Sequence, residues 1–170
     1  LGYGQGGNLV QDVAALRSLR ELADEYFHAA GFSDYELSTV FHQWMGGFPE
    51  NEASAFSVIC WGATAAAIAG ATKIIVKTPH EASGVPSKEA NAQGLQATRQ
   101  TINMVREQGF PQSARMDEEV DLIKREVRAV LDTVLALGED DVESEGRLAR
   151  TGNAGDDGGL VVRDLAADVF

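Results

Sequence analysis

This sequence predicts an α/β fold built on parallel strands, and three observations carry the prediction. Strand-like segments begin at residues 36 and 73, a spacing of 37 residues with one helix between them, and parallel neighbours require a crossover of that kind. The second segment, Lys73-Ile74-Ile75-Val76-Lys77, is continuously apolar between two lysines, as strands buried on both faces are. Both segments run directly into loops that hold glycine beside polar or aromatic side chains. Two architectures satisfy the pattern, the doubly wound sheet and the (βα)8 barrel. A complete barrel needs roughly 250 residues, so a chain of 170 holds only part of one.

The elements follow in order. Gly2-Tyr3-Gly4-Gln5-Gly6-Gly7 reads as a glycine-rich loop before a helix. That helix opens at Asn8, an N-cap with Gln11 three residues on. Leu9, Val13, Leu16, Ala23 and Phe27 form its apolar stripe, and Gly31 supplies the left-handed stop. Glu36 to His42, with Thr39, Val40 and Phe41, reads as a strand. Pro49, Glu50 and Glu52 open the next helix at its dipole-positive end, and Gly70 closes it. After Lys73–Lys77 and a loop from Thr78 to Pro86, Ser87 caps a helix running to about Gln108, with Gly109 and Pro111 beyond. In the last helix Met116, Val120, Ile123, Val127, Val130, Val134 and Leu137 step along one face, and Gly138 is its expected end.

Composition narrows the classes of function. The chain has 26 acidic and 14 basic side chains, a formal charge of −12, which argues against nucleic acid or an anionic membrane as partner. A single cysteine excludes an intrachain disulfide framework and fits a reducing, cytoplasmic compartment. The 20 uncharged residues Ala53 to Thr72 match a bilayer crossing in length, but Ala, Gly, Ser and Thr dominate them, which suits a tightly packed soluble helix. Leu1-Gly2-Tyr3-Gly4 has neither the basic nor the apolar region of a signal peptide. A sequence opening in this way is expected to be a piece of a larger protein.

Three loops hold the candidate chemistry. Gly2, Gly4 and Gly7 form G-x-G-x-x-G before a helix, the start of a dinucleotide fingerprint. That fingerprint also needs an acidic residue ending the next strand, and Phe41-His42 stands there; an NAD-binding Rossmann enzyme is therefore the weaker alternative. His42-Gln43-Trp44-Met45-Gly46-Gly47-Phe48-Pro49 is either a buried plug or a broad apolar surface receiving a large planar ligand. Lys77-Thr78-Pro79-His80-Glu81-Ala82-Ser83-Gly84-Val85-Pro86 places a lysine at a strand end and a glutamate four residues on. Such a pair is either a structural ion pair or a donor–acceptor grip on a vicinal diol such as ribose. Cys60 reads as inert packing.

Taken together, Gly2-Tyr3-Gly4-Gln5-Gly6-Gly7-Asn8, Thr39 to Pro49, Ile75 to Ala82 and Lys88-Glu89-Ala90-Asn91 resemble one family closely, the large (epsilon) subunit of glutamate mutase, also called methylaspartate mutase. The likeness spans about residues 1 to 137, with three long motifs in register. It implies the C-terminal βα units of a partial (βα)8 TIM barrel over residues 1–110. A helical region, 111–170, with an acidic Gly/Asp-rich tail would follow. The implied reaction is the adenosylcobalamin-dependent radical rearrangement of (S)-glutamate to (2S,3S)-3-methylaspartate. By the same resemblance Lys77 and Glu81 hold the adenosyl ribose, and Phe48 and Val85 contact the cobalamin. Ser83 and Val85 stand where the family carries bulkier aliphatics.

The resemblance also implies partners: a small cobalamin-binding (sigma) subunit, and a second large subunit in a heterotetramer. The cobalamin-ligating pattern D-x-H-x-x-G has no match, because Tyr26, Val40 and Thr78 precede His28, His42 and His80 by two. Cobalt is thus expected to be ligated by another subunit. The resemblance further implies substrate-clamping arginines N-terminal to this segment; no arginine here occupies a strand-end loop, and the isolated fragment is expected to be inactive. A non-enzymatic half-barrel that binds a partner through its open strand edges is the other alternative. Residues 138–170 carry half the net charge, and lysine is scarce at four against ten arginines. A high-salt source organism is the expectation from that acidity.

Overall fold

The computed structural model describes residues 1–108 and the backbone of 114–151, with side chains through residue 137. The chain divides into two units, Leu1–Arg128 and Ala129 onward. In the first, three short strands, β1 (Gly2–Gly4), β2 (Val40–His42) and β3 (Lys73–Ile75), form a parallel sheet in the order β1-β2-β3. The helices α1 (Leu9–Ala29), α2 (Glu52–Ala69) and α3 (Lys88–Glu107) each follow one strand, and α4 (Ala114–Thr151) ends the described chain.

The Gly-rich opening, expected as a loop, is instead β1 as far as Gly4. Its backbone finds partners in β2: Val40 N donates to Leu1 O at 2.7 Å, and Gln5 N donates to His42 O at 2.9 Å. A Cβ on Gly4 would lie 2.6 Å from Cε of Met45, an exposed and flexible side chain that can move aside. The register aligns Tyr3, Phe41 and Ile74 in one row across the sheet. Phe41 is fully buried among Val13 and Leu16 of α1 and Ala65 and Ala66 of α2, with Tyr3 and Ile74 packed alongside. Residues of the opposite parity face the other way: there Lys73 is exposed, Ile75 is 46 % exposed, and Val40 and His42 are partly so. One face of the sheet is therefore covered by helices and the other is largely open.

Both strands read from the sequence are shorter than expected. β2 starts at Val40 rather than Glu36, and β3 ends at Ile75 rather than Lys77. Just beyond Ile75 the amides of Lys77 and Thr78 donate to side chains, those of Gln43 and Glu81, rather than to a neighbouring strand.

The helix signals in the sequence act locally. Asn8 Oδ1 accepts from the amides of Val10 and Gln11, and Gly31 takes φ +87 just after the Ala30 cap. α2 opens at Glu52 under an Asn51 cap, so Pro49 and Glu50 lie before it, not in its first turn. Gly70 ends α2 in the left-handed conformation, and Ser87 caps α3 through the amide of Ala90. Phe27, expected on the buried stripe of α1, is 39 % exposed. It packs instead on Phe32 and Tyr35 with ring centroids 6.0 and 5.0 Å away. The helix expected to stop at Gly138 continues to Thr151, since one glycine costs a helix only about 1 kcal/mol. Of its expected apolar face Val120 is buried, whereas Val127, Val130, Val134 and Leu137 are exposed. Gly109 and Pro111 lie outside the described residues. Among those described, α2 alone is long and apolar enough to cross a bilayer, and a third of it is buried in the protein.

Candidate functional site

In a parallel sheet the C-terminal ends of all strands lie at one edge, so the loops that leave them share one end of the molecule. Here these are Gln5–Asn8 after β1, Gln43–Asn51 after β2 and Val76–Ser87 after β3. The structure brings Lys77 and Glu81 together: Lys77 Nζ donates to Glu81 Oε2 at 3.1 Å, with each side chain 25 % exposed. A short 3-10 turn, Glu81–Ser83, sets that distance, and Thr78 N donates to Glu81 Oε1 at 3.1 Å. The carboxylate is thus held from both sides, while two ammonium hydrogens and unused carboxylate lone pairs remain for a ligand. Helix α3 closes in from behind. A Cβ on Gly94 would stand 2.4 Å from the Lys77 carbonyl oxygen, so glycine is what permits the contact.

The other two residues expected at the site are placed differently. Phe48 is half-buried in the loop after β2, and Val85 is 97 % exposed, directly after Gly84 at φ +98. Neither enters the Lys77–Glu81 hydrogen-bond network. His80 donates its backbone N–H to Thr78 Oγ1 at 3.3 Å and lies partly buried beside the pair.

Three polar residues that the sequence reading did not single out organise this end of the protein. Asp12, wholly buried in α1, accepts from Gly6 N at 2.7 Å, Gly7 N at 3.0 Å and Tyr3 Oη at 3.1 Å. Burial and then the Asp12 carboxylate push the Tyr3 phenol up to about 12. The glycine amides that a pyrophosphate would need are therefore taken by a carboxylate of the chain itself, which removes the basis of the dinucleotide reading. Gln5, largely buried, accepts from Trp44 N at 2.9 Å. Gln43, fully buried, bridges Lys77, Ile59 and Thr98 through its carboxamide. Asp12 did carry a sequence signal, since it interrupts the stripe of Leu9, Val13 and Leu16. Gln43 carried none, because only the folded chain reveals its partners at positions 59, 77 and 98.

The aromatic loop after β2 is held rather than loose. Trp44 Nε1 donates to Gly47 O at 3.0 Å, and Trp61 Nε1 of α2 donates to Gly7 O at 3.3 Å. Between these indoles lies an apolar cleft of about 430 Å³ lined by Gln5, Gly7, Trp44, Ser57, Val58 and Trp61. A second cleft, about 500 Å³, sits at the opposite end of the sheet beside Arg20, Asp24 and Tyr35. Among the described residues no three His, Cys, Asp or Glu side chains group as metal ligands, and Cys60 is a free thiol, partly buried in α2.

Comparison with known proteins agrees with the motif loops. The sequence model of the methylaspartate mutase E chain family matches residues 1–153. The chain is 66 % identical over 142 residues to the glutamate mutase epsilon subunit of Yersinia enterocolitica, covering 84 % of this chain and 30 % of the relative. The epsilon subunit of Desulfitobacterium hafniense is 56 % identical over 84 % of this chain and 29 % of its own length. That of Haloarcula marismortui is 50 % identical over 99 % of this chain and 32 % of its own length. The chain spans about a third of the length of these curated relatives. By this match and these identities, the chain belongs to the methylaspartate mutase E chain family.

Proposed function

We propose that this chain supplies the C-terminal βα units of a (βα)8 barrel in the large subunit of an adenosylcobalamin-dependent glutamate mutase. The enzyme would convert (S)-glutamate to (2S,3S)-3-methylaspartate in the cytoplasm. The observation that carries the reading is the Lys77–Glu81 pair, 3.1 Å apart just beyond the C-terminal end of β3 and still partly open. A barrel is supported by the uninterrupted strand order β1-β2-β3 and by α2 lying against both α1 and α3, which puts the helices side by side on one face of the sheet. A complete doubly wound sheet reverses its strand order at a switch point and covers both faces, and neither feature occurs among the described strands.

The residues present suit the nucleoside end of the coenzyme. A vicinal diol both donates and accepts hydrogen bonds; Lys77 offers donors and Glu81 acceptors, already held at a fixed separation. When bound, adenosylcobalamin supplies the homolytically cleavable Co–C bond on which a radical rearrangement depends. Lys77 and Glu81 would anchor the ribose, while Phe48 and Val85 would offer apolar surface to the cobalamin. Cobalt would be ligated by the small cobalamin-binding subunit, the partner in a heterotetramer built on two large subunits. Glutamate would be clamped by arginines of the remaining part of the large subunit.

The test uses the full-length large subunit assembled with the small subunit. Glu81→Gln and Lys77→Ala should abolish Co–C homolysis, read as loss of the cob(II)alamin absorption and EPR signals, with an unchanged circular dichroism spectrum. Undiminished turnover in both variants overturns the assignment.

A further inference from the structure

We infer that Gln43 is the positioning residue of the Lys77–Glu81 grip, setting the Lys77 backbone from which both grip side chains take their places. The inference rests on the ribose-binding reading of that pair. Gln43 is completely buried, and its carboxamide makes three hydrogen bonds. Oε1 accepts from Lys77 N at 2.8 Å, while Nε2 donates to Ile59 O of α2 and to Thr98 Oγ1 of α3, each at 3.0 Å. Its own N–H donates to Ile75 O at 3.1 Å, extending the β2–β3 pairing by one bond. One side chain therefore joins the end of β2, the end of β3 and two helices.

The consequence for the grip follows from consecutive amides. β3 ends at Ile75, so the Lys77 N–H donates to the Gln43 side-chain oxygen in place of a strand carbonyl. The next amide, Thr78 N, donates to Glu81 Oε1, and the Lys77 ammonium donates to Glu81 Oε2. The Lys77 carbonyl meanwhile lies against Gly94. A rotation of the Lys77 peptide would thus move the ammonium and the anchor of Glu81 together. Only a carboxamide meets this site, since it supplies one acceptor and two donors at once. A carboxylate would face the Ile59 carbonyl oxygen with no hydrogen to give, and a thioether would leave the Lys77 amide unpaired.

The test compares adenosylcobalamin with methylcobalamin, which differs only in carrying a methyl group in place of the 5′-deoxyadenosyl group, on the full-length large subunit with its small partner. Gln43→Met should reduce the preference for adenosylcobalamin by about tenfold, the effect of one lost buried hydrogen bond, while methylcobalamin affinity holds. Combined with Glu81→Gln it should add nothing further, because both act on one contact. Thr98→Val, which removes a single acceptor of Gln43, should give a smaller loss in the same direction and covers the case in which Gln43→Met does not fold. A lowered melting temperature with the preference intact in both variants overturns the inference and leaves the grip standing. An intact preference in Glu81→Gln and Lys77→Ala removes the grip and the inference with it.

Discussion

Asp12 shows how one buried carboxylate shapes the strand end. It has no salt-bridge partner among the described residues, and its charge is met by two backbone amides and a phenol. Asp12→Ala leaves those donors without their acceptor. The Gly6 and Gly7 amides lie in an exposed segment, where water can replace part of the loss, so the expected cost is about 2–3 kcal/mol in unfolding free energy by urea titration. Tyr3 gives an independent readout. With its phenol raised from 10.0 to about 12, the native state holds that proton where the unfolded chain has released it. Tyr3 therefore contributes stability fully present below pH 10 and lost as pH rises toward 12. Asp12→Asn should shift the Tyr3 transition, followed by phenolate absorbance, back toward the ordinary tyrosine value and flatten this alkaline loss of stability. An unshifted transition would assign the Tyr3 effect to burial alone.

Elements meet here through single small or charged residues. Gly94 lets α3 reach the Lys77 carbonyl, and Gly94→Ala should push the two apart at a cost of about 1–3 kcal/mol, read as a lower denaturation midpoint. On the proposed ribose-binding role of Lys77 and Glu81 it should also weaken adenosylcobalamin binding, because the displaced backbone carries that pair. α4 is held to α1 by Ser18 Oγ on Val120 O at 3.2 Å and by Lys124, which pairs with Glu21 and Glu25 at 2.8 Å each. Arg128 adds a contact to Glu25. These cations lower the Glu25 pKa, and the two carboxylates raise that of Lys124. The clamp is thus intact at neutral pH and lost as acid protonates Glu25. Caps at Asn8, Asn51 and Ser87 follow from a side chain and the next three residues; the Asn8 and Ser87 caps and the glycine stops at 31 and 70 were readable from sequence. β1 was not, because a strand of two glycines and a tyrosine has no apolar run and exists through its pairing with β2. The extra length assigned to β2 and β3 has the same origin: apolar character continues where pairing stops. Lys77 and Glu81 were legible because four residues within one loop bring them together, whereas Gln43 depends on contacts across 16 to 55 positions.

Two forces act on the whole chain in opposite directions as salt is added. Screening weakens the Lys124 and Arg128 clamp and also weakens repulsion within a chain of net charge −12. Acidic groups outnumber basic ones nearly two to one, so relief of repulsion should win, and the melting temperature should rise from dilute buffer to molar KCl. A fall would remove the basis for a high-salt origin. The sheet makes the larger demand. Leu1 O and Gln5 N point toward β2, so the amides of Gly2 and Gly4, of the other parity, point outward. On β3, Lys73 N and Ile75 O face β2, which turns the Ile74 amide to the far edge. Among the described residues, both edges and one face of the three-stranded sheet therefore stand open, in a chain about a third as long as its relatives. Such a sheet is stabilised when further strands pair with it. Assembly with the remaining part of the large subunit should slow hydrogen exchange at Gly4 and Ile74 by orders of magnitude, while the Phe41 amide, already inside the sheet, changes far less. Equal change at all three positions would indicate general tightening rather than strand addition, and no change at Gly4 and Ile74 would overturn the proposed closure of a barrel through these edges.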